Sequence, residues 1–205
     1  MTQTHRYFII NKPANMVSQF LSSHQVNLLG NLDFPFPEGT HAIGRLDNHS
    51  EGLLLLTTNK KVTRLLFQGE KKHKRVYLVQ VNNSLSEENL EKLRTGVDIR
   101  IKGGSVYTTP PCDAAMVADP KLIYNDVNDL QQYGSNSWIL ITLTEGKFRQ
   151  VRKMIAAIRH RCKRLIRVSI EGISLNGMQP RQVIETDEHS FFERLGIVNE
   201  KPPSL

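Results

Sequence analysis

At 205 residues, 39% hydrophobic and 23% charged, the chain has enough length and apolar content to bury a real core, which excludes a disulfide-stapled peptide and a disordered tail. The formal net charge of +7 is concentrated: nine Lys and Arg and a single acid fall between Glu145 and Arg167, so that stretch carries +8 and the remainder of the chain −1. Cys112 and Cys162 lie fifty positions apart, the histidines form no HxxxH or HxH pair, and GxxxxGK[ST] and GxGxxG are missing, so neither a metal site nor a cofactor is expected.

The opening MTQTHRYFIINKPANM has neither the apolar stretch nor the cleavage site of a signal peptide. The longest apolar run, Gly52 to Leu56, is far too short to span a bilayer, and a cytoplasmic protein with no membrane partner is expected.

In chain order, Tyr7 to Ile10 reads as a strand running into a turn at Lys12-Pro13, and the stretch down to Gly39, with two prolines in DFPFPEG, reads as a surface loop. A Gly-bounded polar segment then enters four leucines, which suits a buried strand. A short helix is expected over Lys60 to Gln68 behind an Asn59 cap, and a strand from Arg75 to Val81. Ser84 and Glu87 have capping-box spacing ahead of a helix over Leu85 to Leu93. Val97 to Ile101 and the residues from Val106 suggest a hairpin around Lys102-Gly103-Gly104-Ser105. Ser137 to Leu143 follows as a strand and Phe148 to Arg159 as a helix with Phe148, Val151, Ile155 and Ile158 on one face. Leu165 to Ile173 returns to strand, and NEKPPSL reads as a disordered tail. This predicts an α+β fold with a mixed, mainly antiparallel sheet, one domain over residues 1–197 and a tail over 198–205.

The larger basic cluster holds six Arg to three Lys, and a second one runs Lys71, Lys72, Lys74, Arg75. A charge run is often only a solvated face, but arginines at this density suit phosphate and base-edge contact, which makes a nucleic acid the expected partner. The densest chemical segment is Gly44-Arg45-Leu46-Asp47-Asn48-His49-Ser50-Glu51-Gly52, an acid in a Gly-bounded loop immediately before a buried strand. Asp47 and Glu51 form either a carboxylate pair of the glycosidase kind or a pair of turn residues, since loop spacing fixes no distance.

GRLDNHSEGLLLLTT resembles the catalytic signature of the pseudouridine synthases, in the branch typified by the ribosomal small-subunit synthase. NKPANMVSQ resembles that family's KPxGxxS motif, KRVYLVQV its KxYxV segment and LTEGKFRQVRKM its EGxxRQVRRM segment, in the same order. The resemblance implies that Asp47 is the catalytic aspartate, that Tyr77 packs on the target uracil and that Arg152 pairs with the aspartate. It places Arg45, Lys147 and Arg149 in RNA contact, Lys12 in the opening motif and Ile155 in the pocket lining. The implied activity is isomerisation of a uridine, most naturally in large-subunit ribosomal RNA, by a monomer lacking the small RNA-binding domain that often precedes KPxG. Two departures stand out: that short beginning, and AAIRHRCKRLIRV where the family carries AAxGxP, which puts Arg159 and Arg161 in place of glycine and proline.

The chemistry needs one carboxylate, acting on C1′ or on the 2′ proton, and a flipped base stacked on an aromatic face. A non-catalytic RNA-binding protein and a base-releasing glycosylase are the alternatives; the basic cluster suits the first equally well, and the second lacks a well-placed second acid.

Overall fold

The computed structural model describes residues 5–67, 71–127 and 135–197. Its strands are β1 (Tyr7–Lys12), β2 (His41–Ile43), β3 (Glu51–Thr57), β4 (Arg75–Asn82), β5 (Asp98–Arg100), β6 (Val106–Thr108), β7 (Asp113–Met116), β8 (Asn136–Leu143), β9 (Cys162–Ile170), β10 (Ile173–Ser174) and β11 (Val183–Thr186). Its helices are α1 (Val62–Phe67), α2 (Glu87–Thr95), α3 (Gln150–Ala157) and α4 (Glu188–Leu195). A nine-stranded sheet has the order β11-β1-β3-β9-β4-β8-β7, with β2 on the edge of β3 and β10 on β9; β5 and β6 form a separate hairpin. Every pairing in the large sheet is antiparallel except β3 with β9, which meet in parallel at Glu51↔Ile166 and Gly52↔Arg167. The mixed, mainly antiparallel α+β class expected from the sequence is the one observed.

The four leucines of β3 show why this run must be a strand covered on both faces. Leu53 and Leu55 enter one core with Tyr7, Leu78, Ile166 and Phe191, whereas Leu54 and Leu56 enter another with Phe8, Ile10, Leu29 and Leu32. A third core joins Val79, Val81, Ile139 and Ile141 of the sheet to Leu90 and Leu93 of α2 and Val151, Met154 and Ile155 of α3.

Several boundaries move from their predicted places. The α2 cap is Ser86, whose side chain accepts from Asn89 N–H at 3.2 Å, so the Ser84 spacing was a coincidence. Phe148 lies before α3 and is 71% exposed, while Val151, Ile155 and Ile158 do share the buried face. The sequence reading had no place for β2, β7, β11 or α4. Asp187 caps α4 at the Ser190 N–H, Gly196 ends it in the left-handed region, and Phe191 and Phe192 pack on Tyr7 with ring centroids 4.9 and 5.7 Å away. The predicted tail, 198–205, lies outside the described residues.

Candidate active site

Asp47 sits in the loop between β2 and β3, and the backbone on both sides of it is tied down from three separate elements. Before it, Ser18 Oγ accepts from Leu46 N–H and donates to the Leu46 carbonyl, both at 3.0 Å. After it, the Lys12 ammonium, at the end of β1, donates to the carbonyls of Pro13 (2.8 Å), Met16 (2.6 Å) and Asn48 (3.5 Å). From α3, Arg152 donates to the His49 carbonyl at 3.0 Å and the Ser50 hydroxyl at 3.4 Å. The loop closes with Ser50 N–H on the Asp47 carbonyl at 3.0 Å. Such anchoring fixes the backbone of a reactive residue while leaving its side chain free for substrate.

At the far end of the loop, Gly52 has φ +96°, and a Cβ there would come within 2.3 Å of the Arg167 carbonyl. Only glycine permits the parallel seam to close directly behind the aspartate.

The Asp47 side chain lines a cavity of about 490 Å³. Tyr77 of β4 lines it too, and Leu143, Val151 and Leu165 give it apolar wall. Arg45, Lys71, Lys72, Lys147 and Arg149 are exposed cations around it, so the two basic clusters, far apart in sequence, converge on one opening. Buried Arg75 and Arg167 also line it; the sequence marked each only as one member of a basic run.

Three expected site residues have different positions. Arg152 does not fork onto Asp47; its Nη2 is spent on the loop and its Nη1 on the Cys162 carbonyl, and among the described residues no cation lies within ion-pair distance of the Asp47 carboxylate. Lys12 is fully buried, with burial pulling its ammonium down to about 8, so it holds the loop from below rather than meeting RNA. Ile155 is fully buried in the third core and does not line the cavity; Val151, one turn earlier, does. The structure brings Asp47, Tyr77, Arg45, Lys147 and Arg149 together at the cavity.

The other acids nearby are engaged. Glu51 is buried and ion-paired with Arg164 at 2.7 Å, which removes the carboxylate-pair reading. Glu145 accepts from Tyr107 Oη and from Gln150 Nε2, each at 2.6 Å, while Gln150 Oε1 accepts from Lys147 N–H at 2.8 Å. The Lys147 ammonium lies 4.8 Å from the Tyr107 ring centre, so the β5–β6 hairpin braces the basic loop. Burial pushes the Cys112 and Cys162 thiols up to about 11, which leaves neither a nucleophile at neutral pH. Among the described residues no cluster of His, Cys, Asp and Glu is arranged to hold a metal.

A carboxylate without an ion pair among the described residues and an aromatic ring thus line one cavity with an apolar wall and a rim of cations, an arrangement whose size and charge suit a nucleotide. Residues 6–157 match the family model described as RNA pseudouridylate synthase, and the chain belongs to that family, whose members isomerise uridine to pseudouridine. It is 35% identical over 183 residues to the ribosomal large subunit pseudouridine synthase E of Vibrio parahaemolyticus, covering 88% of this chain and 73% of that protein. It is 32% identical over 175 residues to the protein of the same name from Xanthomonas axonopodis pv. citri, covering 84% and 89%. A solved pseudouridylate synthase shares the fold with a TM-score of 0.73 at 22% identity, covering 93% of this chain and 74% of that one.

Proposed function

We propose that this chain converts a uridine of large-subunit ribosomal RNA to pseudouridine, with Asp47 as the catalytic carboxylate and Tyr77 as the stacking face for the flipped uracil. The observation that carries the reading is Asp47 itself: an anchored backbone and an unengaged carboxylate in the same cavity as Tyr77. Arg45, Lys147 and Arg149 contact the phosphates around the extruded nucleotide. Arg152 and Lys12 act through the loop as positioning residues.

The choice of large-subunit RNA is supported by the names of the Vibrio and Xanthomonas relatives. Such a substrate puts the work in the cytoplasm. Residues 1–197 serve as one catalytic domain, working as a monomer.

The reaction breaks the N1–C1′ bond, turns the base and joins C5 to C1′, releasing the C5 proton. RNA tritiated at uridine C5 therefore tests it. The expected result is tritium in water with the base still attached for large-subunit RNA, little for small-subunit or transfer RNA, and none with Asp47→Asn. Free uracil would mean a glycosylase, tight binding without release a non-catalytic RNA-binding protein, and an active Asp47→Asn enzyme a different catalytic group.

A further inference from the structure

Arg75, at the start of β4, and Arg167, on β9, both line the cavity and are only 7% and 4% exposed. The Arg75 guanidinium lies 4.9 Å from the Phe67 ring centre, its Nη1 has no hydrogen-bond partner, and no ion pair reaches it among the described residues. Arg167 spends Nε on the Leu53 carbonyl at 2.8 Å, and its Nη2 is buried without a partner. Burial holds the Arg75 guanidinium below its ordinary value, with Tyr77 and Glu171 opposing the shift and the Arg167 charge adding to it. Two desolvated cations in one cavity remain costly until an acceptor reaches them. Of the two acids in the wall, Glu145 is held by Tyr107 and Gln150, and Asp47 makes no ion pair with either guanidinium among the described residues.

We infer that Arg75, with Arg167 beside it, receives the carbonyl oxygens of the uracil and stabilises the negative charge on the base after the N1–C1′ bond breaks. The assignment rests on the reading of the chain as a uridine isomerase with Asp47 at the sugar. When the bond breaks heterolytically the electron pair stays with the base, delocalised from N1 onto O2 and O4. A half-turn about the N3–C6 axis exchanges N1 with C5 and O2 with O4, so two donors keep an oxygen each before and after the turn. C5 then forms its bond to C1′, C5 loses its proton and N1 gains one. Fixed, buried donors at the place where charge develops are what transition-state stabilisation requires, whichever way Asp47 acts at the sugar. Cytosine has an amino group where uracil has O4, and would set a donor against a guanidinium.

The test is single-turnover kinetics on two versions of the substrate RNA, one with uridine and one with 5-fluorouridine at the target, whose fluorine stabilises the base anion unaided. Arg75→Met is expected to slow uridine conversion by about 10²-fold, in the range found for loss of one oxyanion donor, with RNA affinity little changed. Its effect on consumption of 5-fluorouridine should be several-fold smaller, and Arg75→Lys should fall between. If Arg75→Met does not fold, Arg75→Lys carries the same comparison. Equal losses on both RNAs would show a guanidinium that merely braces Phe67, and no loss would show a bystander; either overturns the assignment. A wild-type enzyme inert on both RNAs would overturn the isomerase reading beneath it, which separates the two failures.

Discussion

Lys147, Arg149, Arg159, Arg161 and Lys163 lie exposed, whereas Arg152, Arg164 and Arg167 from the same stretch turn inward, onto loop carbonyls, a carboxylate and the cavity wall. One-dimensional charge counting treats the two sets alike. The exposed set supplies the long-range field that draws a polyanion in. The inward set uses the guanidinium's planar fork as scaffolding, reaching the carbonyls of His49, Asp126 and Leu53 and the Glu51 carboxylate. The +8 of the segment therefore overstates the charge an RNA would meet, and the difference has measurable consequences.

The largest effect is expected from Arg164. It donates through Nε and Nη2 to the two oxygens of Glu51 at 3.0 and 2.7 Å and through Nη1 to the Asp126 carbonyl at 2.9 Å. Arg164→Met leaves the Glu51 carboxylate buried without that partner and should lower the unfolding free energy by about 3 kcal/mol in urea titration. Removing both charges with Glu51→Leu and Arg164→Met should recover most of the loss. A single variant as stable as wild type would move Arg164 into the exposed set.

Arg152 should give a smaller, kinetic effect. Arg152→Met takes a donor from the His49 carbonyl and the Ser50 hydroxyl, so the Asp47 loop loses one of its three ties. Turnover is expected to fall about tenfold through misplacement of the carboxylate, at unchanged RNA affinity. Arg152→Lys should regain part of it. A weakened affinity with normal turnover would instead reveal an RNA contact.

The smallest effect belongs to the exposed pair that replaces glycine and proline of the family pattern. Changing Arg159 and Arg161 to serine should leave stability untouched and flatten the slope of log affinity against log salt by about 1.4 to 1.8, for two phosphate contacts. An unaltered slope would mean that RNA does not reach this end of α3.

The sequence made the site legible where chemistry and backbone coincide. An acid between glycines ahead of four leucines marks a rigidly held loop, and the fold places Asp47 there. Arg152 shows the limit: a motif identifies the residue but not where its guanidinium points, which depends on a loop a hundred residues earlier. The inward turn of Arg167 was hidden for a different reason, since a strand that is buried on both faces has no polar alternation to mark which side chain enters a cavity. The edge strand β7 escaped because its buried Ala114 is flanked by exposed neighbours and carries no apolar periodicity. By contrast α4 carries its signals in the sequence itself, an Asp cap, an FFxxL face and a closing Gly.

The place of β9 in the sheet has a consequence for how the protein comes into being. β9 lies between β3 and β4, yet it is made roughly a hundred residues after the first of them and some ninety after the second. While the chain is being synthesised, the edges of β3 and β4 that will meet β9 wait unpaired, and the leucines of β3 wait for one of their covers. Unpaired edges beside apolar side chains are where nascent chains associate wrongly. The cavity has no earlier form, because the strand carrying Arg167 arrives last between those carrying its neighbours. Closing of the sheet and assembly of the cavity are therefore one event, and a chain that stops short of β9 lacks the cavity altogether.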